Sequence, residues 1–270
     1  FKKLYVADSL DVPINYVFEQ KDMESNLVVF TSILMTFRVY ADFSGYSDMA
    51  RGMARFFGIK LIQNFKPFFI STSPREFWRS WHISFMEWVR DYLVLPFHKI
   101  KRKEWITSLH IFITLLVVGL WHKASWNWLL FGSLHGSALV ISRQWNIFQK
   151  KYQVEIPNLL QKGIGFCFML TLYFFSGLFH RSKDLDQTIT LLSSFSITGG
   201  WHREFVDLCF YTFQFLAPLL VYEAITLFKK DEFFILKLPF LLRAFVFALA
   251  ISSIILFERT GQSNFIYFNF

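Results

Sequence analysis

WITSLHIFITLLVVGLW, Trp105 to Trp121, is followed by HKAS and then by WNWLLFGSLHGSALVISRQW, Trp126 to Trp145. A hydrocarbon core of roughly 30 Å takes about 20 residues of helix, and both runs come close to that length. A four-residue polar link leaves no room for anything but a hairpin, out across the membrane and back. Four further runs are long and apolar enough to cross: Leu27 to Ser47, Gly163 to Phe179, Val206 to Phe228 and Pro239 to Phe257. The expected fold class is therefore an all-α, multi-pass transmembrane helical bundle of five or six spans, with interfacial or re-entrant helices.

Composition agrees. Of 270 residues, 54% are hydrophobic, 20% aromatic and only 18% charged, which places the chain outside the soluble globular class. The net charge of +8 sits in short connections, His98 to Lys103 (HKIKRK), Arg143 to Lys162 and Lys229 to Lys237. That distribution is membrane topology rather than a nucleic-acid face. The positive-inside rule puts all three connections in the cytoplasm, so the segment Arg181 to Phe205 and the C-terminus fall outside. Cys167 and Cys209 lie within apolar runs and act as small hydrophobes. The chain opens Phe1-Lys2-Lys3 with no signal peptide and is expected to be the later part of a longer protein, with further N-terminal spans. No internal repeat or low-complexity tract interrupts residues 1–270, which read as one membrane domain.

Between the first span and the hairpin, Asp48 to His98 is too polar to cross freely and too aromatic to float in water. Ser73-Pro74-Arg75-Glu76 supplies an N-cap serine, a proline at the first helical position and a glutamate at the third. From there Trp78, Trp81, Phe85, Trp88 and Tyr92 recur at helical spacing, so one interfacial amphipathic helix is expected, presenting Arg79 and His82 inward. Pro218 falls inside a span and should kink it.

Ionisable side chains within spans are costly and so are functional candidates. Arg38 and Asp42, four apart, can meet on one helix face as a structural ion pair. Glu223 and Arg243 lie near span ends, where snorkelling accounts for them. Of seven histidines, His98, His110, His180 and His202 read as surface or interfacial, leaving His82, His122 and His135. His135 sits midway along an apolar run between Gly132 and Gly136, a small-xxx-small spacing that admits a second backbone or a slim substrate. An imidazole at that depth is expected neutral and able to take a proton from a hydroxyl. The competing reading is a core histidine bonded to a carbonyl, Ser133 or Ser137. No Cys/His/carboxylate spacing of metal type accompanies the three histidines, so no metal is expected.

Taken in order, Asp42-Phe43-Ser44-Gly45-Tyr46-Ser47-Asp48, Asn64-Phe65, Phe77-Trp78-Arg79-Ser80-Trp81-His82, Trp88-Val89-Arg90-Asp91-Tyr92, Gly119-Leu120-Trp121-His122 and Gly132-Ser133-Leu134-His135-Gly136 resemble the membrane-bound O-acyltransferase family, in particular its bacterial alginate O-acetyltransferase branch. The likeness runs from Phe1-Lys2-Lys3 to Phe265-Ile266-Tyr267-Phe268-Asn269-Phe270. Lys123 after His122, where small residues are usual, and Phe131, where the branch often has tryptophan, depart from the pattern. The resemblance implies catalytic His135 and a supporting His82; His122 reads as structural or tunnel-lining, and Arg79 and Asp42 are further tunnel candidates. It implies transfer of an acyl group, acetyl first, from a thioester such as acetyl-CoA or an acyl carrier to a hydroxyl of a cell-surface polysaccharide. The donor is then a substrate and no cofactor is permanently bound. It also implies a bacterial inner-membrane location and an extracytoplasmic acetyltransferase or polysaccharide-synthesis partner. D-alanyl transfer to teichoic acid is the rival within the enzyme class, and a transporter or channel subunit the rival outside it.

The topology is checked by cysteine labelling of intact cells. A membrane-impermeant reagent should modify a cysteine placed at Ser193 and spare one at Lys101, and the reverse pattern would refute the assignment.

Overall fold

The computed structural model describes residues 1–19, 24–98, 103–193 and 203–257. His202, Lys101 and the Phe265 to Phe270 ending lie outside them, as do most of the His98 to Lys103 connection and part of the expected outer segment. In chain order the helices are α1 (Asp8–Glu19), α2 (Ser25–Phe56), α3 (Pro74–Ser80), α4 (Ile83–Val89), α5 (Leu95–His98), α6 (Glu104–His122), α7 (Trp126–Tyr152), α8 (Asn158–Arg181), α9 (Leu185–Ser193), α10 (Arg203–Lys229) and α11 (Phe240–Phe257). All regular structure among the described residues is helical. Five helices, α2, α6, α8, α10 and α11, are long and apolar enough to cross a membrane. The sixth expected span, α7, has the length at 27 residues but carries Asn127, Ser133, His135, Ser137, Ser142 and Arg143 along it. α11 buries no residue, so its apolar surface is the kind that lipid covers. α10 continues through Pro218 as a single helix.

The chain forms two compact units, residues 1–61 with 195–270, and residues 62–194. In the first, α1 buries Leu10, Ile14, Val17 and Phe18, an i, i+4, i+7, i+8 stripe. Its charges are paired rather than solvated. Asp42 accepts from Arg38 at 3.3 Å and pairs with Lys3 at 3.1 Å, while Arg38 also reaches Asp11 at 2.7 Å and Lys3 reaches Asp8 at 2.9 Å. The Arg38 and Asp42 pair thus forms as the spacing predicts. Glu223 does not snorkel: it is 3% exposed and accepts a 2.6 Å hydrogen bond from the Tyr40 hydroxyl, with Lys2 Nζ at 3.3 Å. Partners on distant segments, invisible in local sequence, hold that carboxylate inside the protein. Arg243 does reach back, to the Leu236 carbonyl at 3.1 Å.

In the second unit the α6–α7 hairpin is as expected, and its glycines explain how closely the helices lie. A Cβ on Gly119 would run into the Trp128 carbonyl, one on Gly132 would meet the Leu115 carbonyl at 2.5 Å, and one on Gly136 the Phe112 carbonyl at 3.1 Å. Of the two occupants that the small-xxx-small spacing admits, the α6 backbone is the one seated there. Gly165 on α8 lies in the same way against the Thr72 carbonyl. Gly163, two residues earlier on α8, has open space around it.

Gly132→Ala should therefore force the two backbones apart and lower the melting temperature, by an amount matching about 1–3 kcal/mol of overpacking. Gly163→Ala should leave it within error or raise it slightly, as an alanine in an open helical site does. Melting of both detergent-solubilised variants beside the parent checks the contrast, and equal behaviour would show that the seam is not tight.

Candidate active site

The capped start at Ser73 forms as the sequence predicts: Ser73 Oγ accepts from the Glu76 amide at 3.3 Å, and Pro74 occupies the first helical position. Glu76 returns the bond one residue further out, accepting from the Thr72 amide at 2.8 Å and its hydroxyl at 3.1 Å. The single long amphipathic helix does not form. α3 ends at Ser80, Trp81 is extended, His82 takes a left-handed conformation with φ 47°, and a second helix, α4, starts at Ile83. The aromatic stripe is thus divided between two helices, because a segment upstream competes for the backbone at the break. The Asn64 carbonyl accepts from the Ile83 amide at 2.9 Å, and its side-chain Oδ1 accepts from the Ser84 amide at 3.0 Å and the Ser84 hydroxyl at 2.6 Å. Lys66 donates its amide to the Ser80 carbonyl at 2.9 Å. Asn64 so caps α4 from outside the helix, in the place where His82 supplies no side-chain cap. A left-handed non-glycine residue costs of order 1–3 kcal/mol and persists only where its surroundings impose it.

His135 lies on α7 at 1% exposure. Its ring stacks on Phe77 (centroids 5.8 Å), meets Trp78 edge-on (5.1 Å) and tilts against Phe131 (4.4 Å). Nε2 is 2.9 Å from the Ser176 hydroxyl on α8, and that hydroxyl donates to the Leu172 carbonyl at 2.6 Å. Nδ1 is buried and has no hydrogen-bond partner among the described residues, and neither has the neighbouring Trp78 Nε1. The sequence reading offered Ser133 or Ser137 as the partner. Ser133 instead donates to the Leu129 carbonyl at 2.8 Å, and the partner is a serine forty-one residues on. The only sequence signal for it was a small polar residue in the apolar run Gly163 to Phe179.

Three rings in series connect His135 to His82: Phe77 with Trp81 (5.3 Å), Trp81 with Phe65 (5.4 Å) and Phe65 with His82 (6.3 Å). Burial first, and then the nearby His122 imidazole, lowers the His82 pKa to about 4, so His82 is neutral at physiological pH. His122 closes α6 and stacks on Trp128 at 4.7 Å. Trp128 in turn contacts His180, which belongs to α8 and not, as expected, to an outer loop. Arg79 stays on the exposed side of α3, opposite the buried Phe77 and Trp78. The second unit therefore gathers His82, His122 and His135 into one aromatic cluster, while Asp42 belongs to the ion-pair network of the first unit.

This fold and site define a multi-pass helical membrane protein with a buried histidine caged in aromatic side chains. Residues 23–180 match the membrane-bound O-acyltransferase family, and the chain belongs to it. It is 32% identical over 210 residues, 77% of its length, to a peptidoglycan O-acetyltransferase of Helicobacter pylori. It is 30% identical over 234 residues, 86% of its length, to a probable alginate O-acetylase of Azotobacter vinelandii. A teichoic acid D-alanyltransferase of Streptococcus thermophilus is 35% identical over 116 residues, 40% of the chain and 28% of that relative. The chain spans 38% and 46% of the length of the first two relatives.

The role given to Asn64 is open to test. Asn64→Ala leaves the Ser84 amide and hydroxyl without their acceptor, which should cost about 1–3 kcal/mol and shift the melting temperature down. Asn64→Asp, which keeps an acceptor, should recover most of the loss.

Proposed function

We propose that this chain carries the acyl-transfer site of a bacterial inner-membrane O-acyltransferase. It moves an acyl group, acetyl first, from a thioester donor to a hydroxyl on the way to a cell-surface polysaccharide such as alginate. The observation that carries the reading is His135: fully buried, ring-caged, anchored at one nitrogen and unpartnered at the other among the described residues. Most buried polar atoms of folded proteins find a partner, so an idle imidazole nitrogen at this depth supports a functional role over a packing one.

The mechanism is direct transfer. His135 accepts the hydroxyl proton as the oxygen attacks the thioester carbonyl. A C–O bond forms, the tetrahedral centre collapses, the C–S bond breaks, and the leaving sulfur takes the proton back from the imidazolium. Fixing both substrates beside one buried base supplies the proximity contribution. His82, neutral at its pKa of about 4, supports the site as a neutral imidazole rather than as a cation. A cleft of about 670 Å³ beside the Arg143 to Lys162 connection, lined by Ser142, Trp145, Asn146, Lys162 and Phe168, offers room for the donor. His122, within the aromatic cluster, stands as the tunnel position in this reading. Acetyl-CoA or an acyl carrier is the donor, and an extracytoplasmic acetyltransferase or synthesis partner completes the delivery.

His135→Ala in the full-length protein should lower acyl transfer by ~10²- to 10⁴-fold, the usual contribution of a general base, with insertion and melting temperature preserved. Surface-polysaccharide acetylation and the melting temperature of purified protein are measured together. Wild-type acetylation in the variant would remove the mechanism, and D-alanine on teichoic acid in place of acetate on polysaccharide would select the rival substrate class.

A further inference from the structure

Resting on that reading of His135, we infer that Ser176 is a positioning residue which holds His135 in its Nε2–H tautomer, so that Nδ1 is the atom that takes the proton. A serine hydroxyl has one hydrogen to give and two lone pairs to accept with. Ser176 gives its hydrogen to the Leu172 carbonyl one turn back, at 2.6 Å, the usual back-bond of a helical serine. Its oxygen can then only accept from His135 Nε2, 2.9 Å away. A neutral imidazole carries a single N–H. With that hydrogen on Nε2, Nδ1 is a bare lone pair, buried and unpartnered among the described residues.

The opposite assignment is worse. If Ser176 donated to Nε2, the imidazole hydrogen would sit on Nδ1, buried among Phe77, Trp78 and Phe131 with no acceptor among the described residues. An orphaned buried donor forfeits its whole hydration energy. In the first arrangement every polar hydrogen of the pair is used and the one unused valence is a lone pair, the form in which a base must wait. Trp78, whose indole N–H is also unpartnered among the described residues, touches the same imidazole edge-on at 5.1 Å. An alcohol both donates and accepts, so its chemistry matches one bare acceptor and one unused donor.

In the reaction the substrate O–H gives its proton to Nδ1 while its oxygen bonds to the thioester carbon. The imidazolium keeps its Nε2–H on Ser176 Oγ, and the leaving sulfur later removes the proton from Nδ1, returning the ring to the starting tautomer. Ser176 steadies the ring in both states and touches no reacting atom.

The test uses the full-length protein in nanodiscs, with ring-¹⁵N histidine and the His135 signal assigned by its loss in His135→Ala. Wild type should show a protonated, pyrrole-type Nε2 and a bare, pyridine-type Nδ1, and the reverse pattern overturns the inference whatever the variants do. Ser176→Ala should lower kcat about 10- to 100-fold, the range seen when the hydrogen-bond partner of a functional histidine is removed, with KM for the donor nearly unchanged. It should also mix the two tautomers, and Ser176→Thr, which restores the hydroxyl, should recover both. Wild-type kcat in Ser176→Ala overturns the positioning role. Where the variants fold poorly, the wild-type spectrum alone decides. Full activity in His135→Ala overturns the base reading and this inference together, whereas an inactive His135→Ala with a reversed tautomer overturns this inference alone.

Discussion

The site rests on a contact made mostly by backbone. Gly119, Gly132 and Gly136 let the backbones of α6 and α7 approach until carbonyl oxygens occupy the space where β-carbons would stand. Without a strong hydrophobic drive between helices in lipid, such close packing is a main source of association. It also fixes rotation. Gly132 and Gly136 lie on one face of α7, and residue 135 is turned from residue 136 by roughly 100°, the angular step of an α-helix. With the glycine face locked on α6, His135 has to point to the side, where Phe77 and Trp78 of α3 and Ser176 of α8 meet it. Any slip in the seam would carry the imidazole away from Ser176.

The sequence showed most of the spans, because a run of apolar residues is a local property and lipid rewards it locally. The start of α3 was legible for the same reason, since Ser73, Pro74 and Glu76 satisfy the first turn among themselves. The main failures concern partners distant in the chain. A helix running through Trp81 and His82 is sound on periodicity, but Asn64 offers that backbone two bonds, and the Ser84 hydroxyl a third, that no helical pattern reveals. Glu223 resembled a snorkelling residue until Tyr40, 183 positions earlier, supplied its hydrogen bond. His135 was legible as a deep histidine, and Ser176 was not legible as its partner.

The two units treat polar groups in opposite ways. In the first, charges are buried in opposed sets, with Lys3 and Arg38 shared among Asp8, Asp11 and Asp42. Buried pairs of this kind return little net stability, because desolvation consumes most of the attraction, yet removing one member leaves an uncompensated charge. Such a network specifies the packing of α1 and α2 more than it strengthens it. In the second, the groups around the candidate site are neutral: imidazoles, indoles, hydroxyls and phenyl rings.

Neutrality suits the chemistry. A base that must accept a proton and return it within one turnover has to be held in one tautomer and orientation, a task that a carboxylate performs in the Ser-His-Asp triad and that a neutral hydroxyl can perform too. Ser176 offers instead a dipole whose own hydrogen is committed to the Leu172 carbonyl. It orients the ring without adding a charge that would trap either protonation state. In the proposed reading the aromatic cage keeps water from competing for the unused nitrogen, and an acyl group passing between sulfur and oxygen would need that exclusion because water would otherwise take it. The same cage forbids a permanent partner for Nδ1. A buried nitrogen left idle costs stability, and in the proposed reading a substrate hydroxyl completes the bond.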